Sequence, residues 1–219
     1  LTGSFSAQNK VYDGTTSATV GTNSLTLVGV VGAEVVNVSP VASFDSKNVG
    51  TTKIVSLMES STLTGADAGN YSHTLTGAPT ATANITSKEL TVVNASAEDK
   101  EYDSTNQATI SGAELSGVIS GDMVSLVNGD VGTFSQTTVG ENISVSTVMS
   151  LSGTDAANYN LVQPTGISAD ITPRSMILTG NFSVHDKVYD GNTDAEIDAN
   201  NLTMDGLMSG DVVALEATV

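Results

Sequence analysis

The chain has 219 residues, with 24 acidic and 7 basic side chains, a net charge of −17, and no Cys or Trp. This balance excludes nucleic acid as a partner, because binding a phosphate backbone needs clustered Lys and Arg. The absence of Cys excludes disulfides and thiolate metal sites. The longest apolar stretch, interrupted by Gly29, Gly32 and Glu34, is too short to insert this segment in a membrane.

Three blocks of sequence recur in the same order along the chain. The first begins at Lys10 and contains Tyr12-Asp13-Gly14; it returns from Lys100 and again from Lys187. The second block ends in Asn-Tyr, at 63–71 and 151–159, and the third covers 79–86 and 164–172. Ordered recurrence indicates tandem repeats.

We therefore divide the chain into a first repeat (residues 1–88), a second repeat (89–175) and the first half of a third repeat (176–219). We expect the parent protein to continue beyond this half. The joins between repeats contain no flexible Gly/Ser-rich stretch, so we expect the repeats to stack end to end with restricted bending.

The elements predicted along the chain are short β-strands. Apolar residues alternate with polar ones near the end of each complete repeat, which is typical of strands with one buried face. Asn128-Gly129 predicts a two-residue hairpin between 123–127 and 130–134. No window carries a helical apolar stripe. The residues expected to face inward are Ala81, Ala83 and Ile85 in the first repeat and Ile167, Ala169 and Ile171 in the second.

These patterns predict an all-β fold of tandem, immunoglobulin-like β-sandwich repeats. Tyr71 and Tyr159 are placed like the tyrosine of a tyrosine corner, whose hydroxyl bonds to upstream backbone. A β-grasp-like repeat, with a short helix on a mixed sheet, is the alternative.

With these blocks identified, the chain resembles the YDG-type repeat domains of large bacterial extracellular, filamentous-haemagglutinin-like adhesins. The motif is read at Tyr12-Asp13-Gly14 and Tyr189-Asp190-Gly191, whereas the second repeat has Ser104 in place of the glycine. From that serine we expect a turn that does not depend strictly on positive φ. The resemblance implies a cell-surface or secreted parent protein and carries over no catalytic residues.

The repeated residues are compatible with several chemical roles. The Tyr-Asp-Gly block is either a ligand contact or a turn in which Asp accepts backbone N–H bonds; its recurrence favours the turn. Asp190, Asn192 and Asp194 have the spacing that opens a calcium-binding loop, but Ala195 and Asn201 depart from its pattern. Calcium at the junctions between repeats, with Asp67 or Asp155 as ligands, is a second possibility.

Two covalent or catalytic alternatives were also weighed. Lys10 with Asn84, and Lys100 with Asp170, have positions suited to an isopeptide bond, but the alternation turns both acceptors away from the core. His73 and His185 recur in no other repeat, and neither has the partners of a hydrolase. We therefore predict that the chain is not an enzyme and has no catalytic, cofactor or metal residues.

The sequence as a whole predicts structural stalk or spacer repeats of an adhesin-like protein at the bacterial cell surface or outside the cell. The expected partners are neighbouring repeats of the same chain. One alternative is an adhesive module that binds host, matrix or neighbouring cells. Another is a fibre subunit in which copies of the chain complete one another by strand exchange.

Overall fold

The computed structural model describes residues 1–216, and it confirms the all-β class. The elements are 24 short strands and two single-turn 3-10 helices, Ala68–Asn70 and Ala156–Asn158. Residues 1–216 contain no α-helix, so the helix of a β-grasp is missing there. None of the helices described is long and apolar enough to cross a membrane.

The strands are short and follow the repeats. Those of the first repeat are β1 (Thr2–Ala7), β2 (Lys10–Val11), β3 (Ser17–Ala18), β4 (Val20–Thr26), β5 (Asn37–Ser39), β6 (Ala42–Phe44), β7 (Gly50–Leu57), β8 (Thr62–Thr64) and β9 (Ala81–Thr86). The next are β10 (Lys88–Val93), β11 (Ser96–Ala97), β12 (Lys100–Glu101), β13 (Gln107–Ser111), β14 (Glu114–Ser116), β15 (Ser125–Val127), β16 (Val131–Phe134), β17 (Gly140–Thr147), β18 (Ser150–Ser152), β19 (Tyr159–Val162) and β20 (Ser168–Thr172). The third repeat contributes β21 (Ile177–Thr179), β22 (Phe182–Val184), β23 (Ile197–Asn200) and β24 (Thr203–Asp205).

The chain forms two compact units that cut across the sequence repeats. The first unit consists of Leu1–Asn94, Ala113–Gly129 and Met149–Pro164; the second consists of Ala95–Gly112, Asp130–Val148 and the chain from Thr165 onward. Each unit therefore draws strands from two successive repeats.

The first unit is built on a five-stranded sheet in the order β2-β9-β7-β6-β3. Its outer pair, β2 and β9, is parallel, and the other pairs are antiparallel. Smaller sheets complete the unit: β1-β4, β5-β8, β15-β18 and the three-stranded β14-β10-β19.

The second unit repeats the same arrangement with equivalent strands. Its six-stranded sheet has the order β11-β13-β16-β17-β20-β12, again with a parallel outer pair, β12 and β20. Two separate strand pairs, β21-β24 and β22-β23, come from the third repeat. Equivalent sequence blocks thus adopt equivalent strand orders.

The predicted alternation is confirmed in both complete repeats. Ala83 and Ile85 are buried while Thr82 faces solvent, and Ala169 and Ile171 are buried in the same way. In the first unit, Ala83 and Ile85 belong to a core that also includes Leu90 and Tyr159 of the second repeat. The core lined by the first repeat is therefore closed by side chains from the next one.

The predicted Asn128-Gly129 hairpin is wrong. The strand before it, β15, pairs with β18, and the strand after it, β16, pairs with β13 and β17. Asn128 does adopt positive φ, 58°, so the dipeptide turns the chain as expected. A tight turn fixes only the local chain direction, and here each flanking strand finds a different hydrogen-bonding partner.

Candidate functional site: the joint between the first two repeats

The Tyr-Asp-Gly block of the first repeat forms a turn that is supported by side-chain hydrogen bonds. One carboxylate oxygen of Asp13 accepts the backbone N–H of Thr15 at 2.9 Å and also its hydroxyl, at 2.9 Å. Gly14 adopts φ of +77°, which glycine reaches without strain. This is the turn that the sequence predicted.

The lysine of each block supplies the cation for this turn. Lys10 Nζ donates to Asp13 Oδ1 at 2.7 Å and to the backbone oxygen of Thr15 at 2.8 Å. Lys100 makes the same contacts with Asp103 and Thr105, at 2.7 and 2.8 Å. These bonds outweigh desolvation and lower the pKa of Asp103 from 3.8 to about 2, with the Lys100 hydrogen bond as the largest cause.

The same two ammonium groups lie against an aromatic ring. Lys10 Nζ is 5.5 Å from the centre of the Phe44 ring, and Lys100 Nζ is 5.7 Å from that of Phe134. Both phenylalanines are buried, 3% and 1% exposed. The lysine thus joins the turn to the core sheet of its repeat.

The expectation for Ser104 is wrong. Its φ is 62°, close to the +77° of Gly14 and the +81° of Gly191. The turn requires positive φ in all three repeats. Serine adopts this conformation here while its hydroxyl donates to the carbonyl oxygen of Asp103 at 2.6 Å.

The possible calcium ligands are engaged by the protein itself. Asp190 accepts the N–H of Asn192 at 3.1 Å and pairs with Lys187 at 3.0 Å. Asp67 accepts the backbone N–H of Val35. Across residues 1–216, no three His, Cys, Asp or Glu side chains converge as a metal site would require.

The tyrosine of the first block forms the centre of a joint with the second repeat. Tyr12 donates its hydroxyl to Asp122 Oδ2 at 2.8 Å, and Tyr159 donates to the same oxygen at 2.6 Å. The two rings meet edge to face, with centroids 5.4 Å apart. Tyr12 is 2% exposed and the Asp122 side chain 3%, so this cluster is closed to water.

Lys47 balances the buried carboxylate. Its Nζ lies 2.9 Å from Asp122 Oδ1 and 3.2 Å from Asp155 Oδ1, and 5.9 Å from the centre of the Tyr12 ring. Burial would raise the pKa of Asp122, but hydrogen bonds from Tyr159, Lys47 and Tyr12 outweigh it and hold the pKa below 3.8. Desolvation and the bond to Asp122 raise the pKa of Tyr159 to about 12.

Backbone contacts fix both sides of the joint. The N–H of Tyr12 donates to the carbonyl oxygen of Thr86 at 2.8 Å. Across the joint, the N–H of Val49 donates to the side-chain oxygen of Asn158 at 2.9 Å. A Cβ on Gly14 would lie 3.0 Å from the Ile119 side chain, so the glycine also permits close approach of the second repeat.

Both tyrosines of the Asn-Tyr block bond to upstream backbone, but they do not form the predicted tyrosine corner, which reaches backbone only a few residues upstream. The hydroxyl of Tyr71 accepts the N–H of Val31 at 2.9 Å, and that of Tyr159 accepts the N–H of Ile119 at 3.0 Å. In each case the donor lies 40 residues upstream. The same hydroxyls also donate to an acidic residue, Glu34 for Tyr71 and Asp122 for Tyr159.

Within the second compact unit, the block of the second repeat makes the equivalent contact with the third. Tyr102 donates to Asp211 Oδ1 at 3.0 Å. Arg174 donates to the carbonyl oxygen of Gly206 at 2.8 Å and pairs with Glu101 at 3.5 Å. The position of Lys47 is occupied by Thr137 in the second repeat.

The remaining candidates lie apart from one another. Asn84 and Asp170 accept the backbone N–H groups of Thr52 and Asn142 at 2.8 and 2.7 Å. Lys10 and Lys100, their proposed isopeptide partners, instead contact the Asp of their own turns. His73 is half-buried, and His185 is exposed, 3.5 Å from Asp198.

Sequence reasoning missed the acceptor of the joint, although a signal was present. Gly121-Asp122 recurs as Gly210-Asp211, and Glu34 holds the equivalent position in the first repeat. A fourth block therefore exists. Ser-Gly-Asp is identical in the second and third copies, whereas the first copy keeps only the acidic character at Glu34.

Fold and joint together define a tandemly repeated all-β module whose shared residues bind one copy to the next. The YDG domain family matches residues 2–82 and again residues 86–166. The chain belongs to the YDG domain family, in two tandem copies. Comparison with curated proteins and with solved structures gives no match.

Proposed function

We propose that these repeats are structural spacer or stalk modules of an adhesin-like protein at the bacterial cell surface or outside the cell, without catalysis. The observation that supports this proposal is the use of the repeated residues. Lys10 and Asp13 stabilise a turn, and Tyr12 reaches Asp122 across the joint. The residues kept in each copy thus stabilise a turn within the repeat and, through the tyrosine, its connection to the next copy.

The joint has the properties that a rigid spacer needs. Tyr12, Tyr159 and the Asp122 carboxylate are closed to water, so the hydrogen bonds among them do not compete with solvent. The contact between the Tyr12 and Tyr159 rings and the ion pair of Lys47 with Asp122 restrict rotation of the second repeat relative to the first at this joint. A rigid joint holds successive repeats at a constant separation and orientation, whereas a flexible linker does not.

The distance between two labelled sites tests the fixed joint. Because the chain lacks Cys, Glu59→Cys and Asn160→Cys can carry a pair of spin labels without other changes. We expect a narrow distance distribution in this chain and a broad one when Asp122→Lys is added. A broad distribution with Asp122 intact would contradict the spacer proposal.

Binding assays separate the spacer from an adhesive module. In such an assay, beads that carry the purified chain are mixed with cells or extracellular-matrix proteins. If the chain is a spacer, neither should bind to the beads. Saturable binding that survives Asp122→Lys would favour the adhesive alternative, since it would come from the repeat surfaces and not from the joint.

Assembly by strand exchange is a second candidate, favoured by the third repeat. There β22 and β23 pair only with each other within residues 1–216, and Phe182 is 51% exposed. The equivalent strands β11 and β13 belong to a six-stranded sheet. Unpaired strand edges bind added strands; polymers that grow with concentration and are seen by electron microscopy would support this candidate.

A further inference from the structure

The first repeat presents similar acceptor residues at positions equivalent to those of the second, without a covering partner within the described chain. We call this set of positions the acceptor face: Val31, Glu34, Asn70 and Tyr71 in the first repeat, and Ile119, Asp122, Asn158 and Tyr159 in the second. The residues that cover the face of the second repeat form the donor end: Tyr12, Gly14, Lys47 and Val49.

The internal geometry of the two acceptor faces is the same. Tyr71 donates to the Glu34 carboxylate as Tyr159 does to Asp122. The backbone N–H of Val31 reaches the Tyr71 hydroxyl at 2.9 Å, against 3.0 Å for the equivalent pair in the second repeat. The acceptor of the first repeat is therefore formed before any partner binds.

Burial of the two faces differs sharply. Asn158 is 4% exposed and Tyr159 7%, because the first repeat covers them. In the first repeat Asn70 is exposed and Tyr71 only half-buried. Val31 is 69% exposed, with Val28 at 76% and Val35 at 54% beside it. An apolar surface around a paired carboxylate is thus left open.

We infer that the acceptor face of the first repeat is a docking site for the Tyr-Asp-Gly donor end of another YDG domain. The incoming tyrosine hydroxyl donates to Glu34, and its ring packs on Tyr71 and Val31. A donor lysine equivalent to Lys47 pairs with the Glu34 carboxylate. The inference rests on the proposed spacer function, since both take the joint as the contact that recurs from copy to copy.

Charge complementarity supports this occupant over an unrelated apolar partner. The chain has a net charge of −17 with only 7 basic side chains, so like surfaces repel one another. The donor end carries one of these few cations at the point where the acceptor face carries a carboxylate. Glu34 stands at the position of Asp122. It has the same charge and the same two acceptor oxygens, on a side chain that is one methylene longer.

Hydrogen exchange measured by mass spectrometry tests the docking. The full chain is compared with an extended chain in which a copy of residues 1–88 is placed directly before Leu1, which keeps the 110 positions between donor tyrosine and acceptor carboxylate. We expect exchange across residues 28–36 and 67–75 to slow by about tenfold or more. The equivalent segments of the second repeat, 116–124 and 155–163, are the internal reference for a covered face.

Two substitutions in the extended chain make the test specific. Glu34→Lys replaces the acceptor carboxylate with a like charge for the donor lysine and should abolish the added protection. Glu59→Lys makes the same charge change on an exposed turn and should leave the protection intact. A second extended chain, preceded by residues 1–175, presents Tyr102 as donor with Thr137 in place of the donor lysine. It tests the tyrosine contact without the ion pair and does not depend on the folding of one added repeat.

The outcomes separate the inference from the function on which it rests. If the reference segments are protected and residues 28–36 are not slowed in either extended chain, the docking site is refuted and the spacer joint stands. If the reference segments themselves exchange freely, the joint is absent and both proposals fail. Protection that persists with Glu34→Lys would also overturn the assigned docking mode.

Discussion

Tyr12 and Tyr159 meet edge to face, with ring planes at 79° and centroids 5.4 Å apart, although they belong to different repeats. Both hydroxyls donate to one oxygen of Asp122. Two motifs that recur separately along the sequence thus converge on a residue outside either motif. Because the two hydroxyls share one buried acceptor, a change at either tyrosine should affect the contact of the other.

Removal of either joint hydroxyl should destabilise the chain. Tyr12→Phe and Tyr159→Phe should each lower the free energy of unfolding by about 1–2 kcal/mol, because a buried carboxylate loses a donor. The double variant should deviate from additivity, since both donors share one acceptor. Urea unfolding of the single and double variants measures this, and Tyr189→Phe, at a tyrosine 92% exposed, should cause no measurable change.

Acid should weaken the chain from about pH 4 downward. The pKa of Asp103 falls from 3.8 to about 2 in the folded chain, and that of Asp122 is also lowered. The unfolded state therefore binds protons first as the pH falls. The contribution of Asp103 is complete above pH 3.8 and is lost as the pH approaches 2.

The melting temperature, measured from about pH 6 to about pH 2, follows the loss of stability across the range in which carboxyl groups titrate. Asp103→Asn should flatten the decline in melting temperature, because it removes a group whose pKa differs between the two states. Asp186→Asn, at an exposed residue, serves as control. A curve that Asp103→Asn leaves unchanged would show that this carboxylate is not stabilised by folding.

Ser104→Gly should stabilise the chain. A non-glycine residue at φ of 62° is strained by about 1 kcal/mol, and glycine removes that strain at some entropic cost in the unfolded state. We expect a higher unfolding midpoint in urea. The reverse change, Gly191→Ser, should lower it slightly, and Gly14→Ser should lower it further because its Cβ would press on Ile119, 3.0 Å away.

Calcium and chelators should leave the melting temperature unchanged, because lysine ammonium groups already bind the oxygens of the Tyr-Asp-Gly turns. Lys100→Met should destabilise the chain by about 1–2 kcal/mol, since a hydrogen-bonded carboxylate loses its cation. Lys88→Met is the matched control, as Lys88 forms no ion pair within the described chain. A chelator-induced drop in melting temperature would point to an oxygen-lined ion site after all.

The intact mass of the purified chain should equal that of its sequence. An isopeptide bond would remove one ammonia or one water for each link formed. We expect neither loss, because Lys10 contacts Asp13 at 2.7 Å and Asn84 is held by Thr52. A mass deficit that disappears in Lys10→Met would place a covalent bond at this lysine.

Much of the local structure was accessible from the sequence. Alternation identified the buried residues Ala83 and Ile85, and recurrence of Asp13 and Gly14 identified a turn. The Asn128-Gly129 hairpin failed, because turn chemistry sets the direction of the chain and not the partner of the next strand. The expectation for Ser104 failed for a related reason. Residue type biases φ without fixing it, and this serine adopts positive φ.

The sequence by itself determined the repetition, the all-β class and the chemistry of each turn, because these depend on residues within a few positions of one another. Only the tertiary structure decided that Tyr12 meets Asp122, 110 positions away, and that a compact unit takes strands from two repeats. Contacts of that range depend on which surfaces the folded strands leave exposed. The spacing of the motifs along the sequence therefore does not reveal which of these distant residues come into contact.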